Sequence, residues 1–214
     1  DCADAHQSGF TQNGLFMMRL SPPNAPPLIY TGFCDMETAD KQWLVFQRRI
    51  DGSLDFYRGW QSYVQGFGDM QKEFWLGNDI VHALTASGYT VLRVDMSDFD
   101  DVSAYAEYNT FNVQDADEKY RMSCSGYSGT SGDSLFFSDG TQFTTFDADN
   151  DQRSDANCAS RFRGAFWYSD CHHANPNGAY LGGASTAFGE GINWQAFRGF
   201  TYSLKSIEMK LRKG

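Results

Sequence analysis

Cys158 and Cys171 bracket the stretch that most restricts how this chain can fold. They lie 13 positions apart within FTTFDADNDQRSDANCASRFRGAFWYSDCHHANPNGAYLGG, residues 143–183. A bridge between them can close a loop of roughly 14 residues, worth about 3 kcal/mol by the chain-entropy argument. It would fix Phe162, Phe166, Trp167, Tyr168 and His172 in place. Aromatics beside a bridge and followed by Gly-rich turns suit a rigid recognition surface, although most of these rings read as ordinary core.

Just upstream, Asp147, Asp149 and Asp151 alternate with Ala148 and Asn150. Alternating carboxylates in a loop can converge on a hard cation that wants six to eight oxygens. The helix–loop–helix calcium template needs Gly at loop position six and a bidentate Glu at twelve. Counted from Asp147, those positions hold Gln152 and Cys158, so that template fails. A calcium site here would need backbone carbonyls and water. The alternative is an acidic turn, since Asp and Asn favour turns. Three carboxylates in five residues repel unless neutralised, and the residues alone leave both readings open.

The cysteines, at 2, 34, 124, 158 and 171, include no C-x-x-C pair, which argues against zinc and for an oxidising compartment. Pairing neighbours, Cys2 with Cys34 and Cys158 with Cys171, leaves Cys124 over. In KYRMSCSGY it alternates with Tyr120 and Met122 as on one strand face, and it reads as a buried free thiol. An intermolecular bridge is the lesser alternative.

Along the chain, LFMMRL, the turn SPPNAPP and LIYTGFC predict two strands, and WLVFQRR at 43–49 a buried one. Asp51-Gly52 marks a turn. Residues 73–86 predict a short helix with Asn78 as cap. Tyr89–Met96, Tyr105–Val113, Lys119–Cys124 and Tyr202–Arg212 predict further strands; 95–101 reads as a solvated acidic turn and GYSGTSGDS as a loop. No repeat, low-complexity tract or linker interrupts the 214 residues, which favours one unit. A net charge of −10 argues against nucleic acid and anionic membranes. No apolar run approaches the roughly 18 residues of a membrane span, so no membrane insertion is expected. No signal peptide is present, as expected of a mature secreted chain or a trimmed one.

Catalytic patterns are missing: no G-x-S-x-G elbow, Walker A, G-x-G-x-x-G after a strand, or H-E-x-x-H. His172 and His173 are adjacent, and adjacent strand side chains point to opposite faces, so a shared metal is not expected. The chain reads as a binding protein, not an enzyme.

Seven motifs, in order, carry a resemblance: GFCDMET at 32–38, WLVFQRRIDGSLDFYRGWQSYVQGFG at 43–68, EFWLGNDIVHALT at 73–85, YSGTSGDSL at 127–135, DADND at 147–151, CASRFRGAFWYSDCHHANPNG at 158–178 and YSLKSIEMKLR at 202–212. From Cys2 to Arg212 the chain resembles the fibrinogen-related domain family, closest in character to ficolin- and tachylectin-type acetyl-binding lectins. The resemblance implies an α+β fold: a twisted, mainly antiparallel sheet with short helices and a loop-rich calcium and ligand region. It implies one domain, with an N-terminal subdomain over about 1–45, a central sheet subdomain over about 46–140 plus the last strand, and a binding subdomain over about 141–201. It also implies the pairings Cys2–Cys34 and Cys158–Cys171.

The resemblance places Ca2+ on the side chains of Asp149 and Asp151 and the backbone carbonyls of Arg153 and Asp155, with Asp147 a neighbour. It places a ligand pocket beside the ion, formed by Phe162, Asp170, Cys171, His172, Phe188 and Phe200. The Asp170–Cys171 peptide is expected to be cis, turning the amides of Cys171 and His172 toward an acetyl oxygen. Phe stands at all three pocket positions where acetyl-binding relatives commonly carry Tyr or Trp, which keeps an apolar wall for the methyl and removes hydroxyl donors. Pro176 replaces an apolar residue in the Asn-x-Asn-Gly turn, and a tilt of that loop is expected.

The implied function is a secreted, calcium-dependent lectin for acetylated carbohydrates of microbial cell walls, such as GlcNAc-type glycans and peptidoglycan, in innate immunity. It would be oligomeric through regions outside this chain. The alternative is an extracellular protein-binding module of angiopoietin, tenascin or fibrinogen type. Fibrinogen's capture of a positive peptide N-terminus by carboxylates is disfavoured, because Phe162 and Gly189 stand at the corresponding positions.

Overall fold

A computed structural model describes residues 1–23 and 26–214; the centre of the Pro-rich turn, Asn24 and Ala25, lies outside the described residues. The long strands are β1 (Gly14–Leu20), β2 (Leu28–Asp35), β3 (Trp43–Arg49), β4 (Val91–Ser97), β5 (Ser103–Val113), β6 (Met122–Gly129) and β7 (Ser206–Arg212). They lie in the order β1-β2-β3-β7-β4-β5-β6, every neighbouring pair antiparallel. The two-residue strands Phe67–Gly68 and Phe74–Trp75 extend the sheet beside β3. Its last strand is therefore central. β7 sits between β3 and β4, and its inward Ile207, Met209 and Leu211 are fully buried.

Helices are short: α1 (Cys2–Gln7), α2 (Trp60–Gln65), α3 (Asn78–Ala86), α4 (Cys158–Arg161) and α5 (Gln195–Arg198). The bridge Cys2–Cys34, with Cα atoms 5.6 Å apart, ties α1 to β2. Asn78 is the first residue of α3 and not its cap. Its Oδ1 accepts from Trp75 Nε1 at 3.0 Å, so the side chain serves the core instead.

The acidic stretch 95–101 is not a solvated turn throughout. Asp95 belongs to β4, and Asp98 is buried, accepting the N–H groups of Asp100 (2.8 Å) and Val102 (2.9 Å) and pairing with Arg198. The strand expected at 119–124 begins at Met122, because Lys119 and Tyr120 adopt left-handed φ values of 53° and 51°. β6 runs on into GYSG, which shortens the expected loop.

An aromatic core joins the sheet to the loop-rich region. Phe46 of β3 meets Trp75 at 5.6 Å, Phe111 of β5 meets Trp167 at 6.0 Å, and Trp167 meets Phe143 at 5.2 Å between ring centroids. Such pairs add about 0.5–1.5 kcal/mol each beyond area burial. A polar clamp adds direction. Buried Glu73 accepts the N–H groups of Ile50, Asp51, Gly52 and Leu54, fixing the Asp51-Gly52 turn. Gly52 is required there: at φ 73° an added Cβ would lie 2.7 Å from the Tyr180 ring. Buried Arg49 then donates to the Gly178 carbonyl at 2.7 Å, seating the Asn-Pro-Asn-Gly turn on β3.

Candidate functional site

The aspartate loop is closed by local hydrogen bonds. Thr145 N–H donates to the Ala148 carbonyl at 3.0 Å, and Asn150 Nδ2 to the Phe143 carbonyl at 2.9 Å. Asp147 faces α2: its Oδ1 accepts Trp60 N–H at 2.8 Å and Thr145 Oγ1–H at 2.7 Å. The approach is so close that a Cβ on Gly59 would lie 2.4 Å from Asp147 Oδ2. Asp147 is thus spent on the start of a helix.

Asp149 and Asp151 adjoin each other. Asp151 N–H points to Asp149 Oδ1 at 3.4 Å, while Asp151 Oδ1 and Oδ2 accept the N–H groups of Arg153 and Cys158, both at 2.8 Å. Burial pushes the Asp151 carboxyl up to about 6, against the pull of those two amides and with the help of the Asp149 charge. A neighbouring hard cation would relieve both effects. The Arg153 and Asp155 carbonyls accept no hydrogen bond among the described residues, which leaves their oxygens free. The described residues gather no cluster of three His, Cys, Asp or Glu side chains, so an ion here would complete its shell with carbonyls and water. An all-oxygen set of this kind fits Ca2+.

The second bridge, Cys158–Cys171, has Cα atoms 5.3 Å apart. Asn157 caps α4, its Oδ1 accepting Ser160 N–H at 2.8 Å. α4 ends at Phe162, whose ring stands edge-on to His172 at 4.7 Å. The peptide before Cys171 is trans, since the described residues contain no cis bond. This corrects the expected cis geometry. The trans form is favoured by roughly 3 kcal/mol for a non-proline bond, and here Ser169 N–H to the Cys171 carbonyl at 2.8 Å closes the turn. Cys171 forms an isolated antiparallel bridge with Ser169, and the His172 N–H donates to no protein acceptor among the described residues.

Phe162, Asp170, Cys171, His172, Phe188 and Phe200 line one pocket of about 260 Å³. Phe200 lies 5.8 Å from His172 and 4.9 Å from Phe188. The far wall depends on Gly189, where a Cβ would lie 2.8 Å from the Phe162 ring. His172 Nε2–H donates to the Gly189 carbonyl at 3.0 Å, which leaves Nδ1 as the bare nitrogen, buried and without a partner. Burial depresses its pKa to about 4, so the ring is neutral at physiological pH. Beneath the pocket, buried Asn175 donates to the carbonyls of Phe162, Gly189 and Gly191, each at 3.2 Å, and accepts Tyr168 O–H at 2.7 Å. Pro176 leaves that turn anchored, its carbonyl accepting Gln47 Nε2–H at 3.2 Å.

Sequence reasoning missed Phe137, His173 and the side chains of Arg153 and Arg161, which also line the pocket. Nothing in the sequence links Phe137 to this site. His173 had a signal, its adjacency to His172, and it lines the same pocket while stacking on Phe137 at 4.3 Å. Arg153 bonds Asp155 at 2.8 Å and Asp170 at 3.1 Å, so it spans from the aspartate loop to the pocket rim.

Residues 1–214 match the family described as fibrinogen beta and gamma chains, C-terminal globular domain. Fibrinogen C domain-containing protein 1-B of Xenopus laevis is 44% identical over 99% of this chain and 47% of its own length. Fibrinogen C domain-containing protein 1 of Xenopus tropicalis is 44% identical over the same shares. The chain thus spans about half the length of the curated relatives it matches. The fibrinogen-like globe domain of human ANGPTL2 superposes with a TM-score of 0.94 at 37% identity, covering 100% of this chain and 98% of that one. Lamprey fibrin D-dimer, solved with the peptide ligand Gly-His-Arg-Pro-amide, superposes with a TM-score of 0.89 at 31% identity, covering 99% of this chain and 72% of that one. With its paired cysteines, antiparallel sheet and full-length match, this chain belongs to the fibrinogen C-terminal domain family.

Proposed function

We propose that this chain is a non-catalytic extracellular binding module. It holds Ca2+ at Asp149 and Asp151 with the carbonyls of Arg153 and Asp155, and uses the adjacent aromatic pocket to take a small neutral acetyl group carried by a glycan. The observation that carries this reading is the convergence of Phe162, His172, Phe188 and Phe200 on one pocket of about 260 Å³. An apolar wall of Phe162, Phe188 and Phe200 suits a methyl. Among the described residues one carboxylate lines the pocket, Asp170; it is paired with Arg153, His172 is neutral and Arg161 adds a positive charge, so the lining disfavours a cationic amine. Two disulfides suit an oxidising, extracellular setting.

A second reading is a protein ligand on the same face. The similarity to the ANGPTL2 globe and to a peptide-bound lamprey fibrin favours it at the level of the family. Calorimetric titration with N-acetylglucosamine, glucosamine and Gly-His-Arg-Pro-amide, in calcium and in EDTA, separates the two. The acetyl reading expects heat from N-acetylglucosamine alone, lost in EDTA and lost in Phe188→Ala, a ring 59% exposed whose removal should spare the fold. Heat from the peptide alone moves the function to the second reading.

A further inference from the structure

The pocket does not end at Phe200. His173 lies 5.9 Å from Phe200, stacks on Phe137 at 4.3 Å with an interplanar angle of 9°, and meets Phe136 at 5.3 Å. Phe136 and Phe137 pack edge-on at 6.2 Å. Phe188, Phe200, His173 and Phe136 thus form a continuous band of rings, one contact after another, with an exposed ring at each end: Phe188 at 59% and Phe136 at 56%. Phe188 belongs to the pocket, but Phe136 lies outside it. Its neighbour Leu135 is fully buried and its backbone N–H is held by Asp133 Oδ1 at 3.1 Å, so this exposed ring sits on a fixed support.

We propose that Phe136, carried by the Phe137–His173 stack, is a second subsite that receives the next pyranose ring of an acetylated oligosaccharide whose acetyl group sits in the pocket. The inference rests on the acetyl-glycan reading above. The ledge is uncharged: burial lowers the His173 pKa from its ordinary value, and its neighbours are phenyl rings. An exposed phenyl ring beside the pocket suits the apolar face of a neutral sugar ring. Exposed aromatics in a band continuous with a binding pocket mark where a ligand extends.

The test is calorimetry with N-acetylglucosamine and its β-1,4-linked dimer on the wild type, Phe136→Ala and Phe136→Trp. The dimer is expected to bind about tenfold tighter than the monomer, equivalent to about 1.4 kcal/mol. Phe136→Ala should remove that gain and leave monomer affinity unchanged, and Phe136→Trp should keep it. Equal affinities for monomer and dimer overturn the subsite while sparing the pocket reading. Equal weakening of both sugars by Phe136→Ala also overturns it. Silence from both sugars overturns both. Gly-His-Arg-Pro-amide binding that weakens in Phe136→Ala while the sugars stay silent would assign the ledge to a peptide, against the proposal.

Discussion

Arg153 Nη1 donates to Asp170 Oδ1 at 3.1 Å, and this contact ties the candidate calcium loop to the residue just before the second cysteine. The pair is partly solvated, with the Asp170 side chain 65% exposed, and such pairs contribute about 0.2–1 kcal/mol. A double-mutant cycle of Arg153→Gln and Asp170→Asn, read by urea unfolding, should give a coupling within that range. A coupling above about 2 kcal/mol would show that the pair is desolvated in solution.

Calcium should raise the melting temperature of the wild type and leave that of an Asp149→Ala/Asp151→Ala variant unchanged. A ligand at a hundred times its dissociation constant stabilises by about 2.7 kcal/mol when it binds only the folded state. In EDTA the variant should be less stable than the wild type, because Asp151→Ala removes the acceptor of the Arg153 and Cys158 N–H groups, so the calcium-induced rise within each protein is the quantity to compare. An equal calcium response in both proteins would place the ion elsewhere.

What the sequence made legible divides by range. The strands at 14–20, 28–35 and 43–49, the Asp51-Gly52 turn and the pocket rings all announced themselves through alternation, turn residues or the resemblance. The Asn78 cap failed because the Trp75 indole, three residues upstream, takes the Asn78 Oδ1 once the chain has turned. Asp98 looked solvated because its counter-ion, Arg198, is 100 residues distant. Phe137 was invisible as a pocket residue for the same reason: it reaches the site by stacking on His173, a contact no local pattern encodes. The trans peptide at Cys171 shows the limit of resemblance, since backbone geometry depends on contacts beyond the motif.

Asn175→Ala should be among the costlier substitutions in the chain. The side chain is fully buried; its two amide hydrogens are shared among three carbonyls, and its oxygen accepts the Tyr168 hydroxyl. Leaving several of these groups unpaired costs roughly 3 kcal/mol or more. Urea unfolding should show a lower midpoint with an unchanged slope. A loss under about 1 kcal/mol would mean that water replaces the amide.

Cys124 should resist thiol reagents until the protein unfolds. It is the free cysteine, buried, and burial with the nearby Asp139 and Asp133 charges pushes its thiol up to about 12. The thiolate is the reactive form, so native protein at neutral pH should release no chromophore from a disulfide reagent. Denatured protein should release one equivalent. Rapid labelling of the native state would show that β6 opens readily.

His172 gives a pH signature of known sign. Its folded pKa, about 4, lies below the ordinary 6.5, because burial opposes the charged ring and His173 beside it adds to that opposition. Between those two values the unfolded chain binds a proton that the folded chain refuses. The contribution is therefore fully present above about pH 6.5 and lost progressively toward pH 4, up to about 3 kcal/mol. Tyr168, which also packs on the ring, stays neutral throughout that window. Asp151 contributes the opposite slope, since its carboxyl is raised to about 6 and favours the folded state at low pH. Urea unfolding of wild type and His172→Gln from pH 4 to 7.5, both in EDTA, cancels that common term. The stability difference between the two should narrow steadily as pH falls. A difference independent of pH would mean that the ring takes up its proton without unfolding, and that the pocket around Gly189 can open to water.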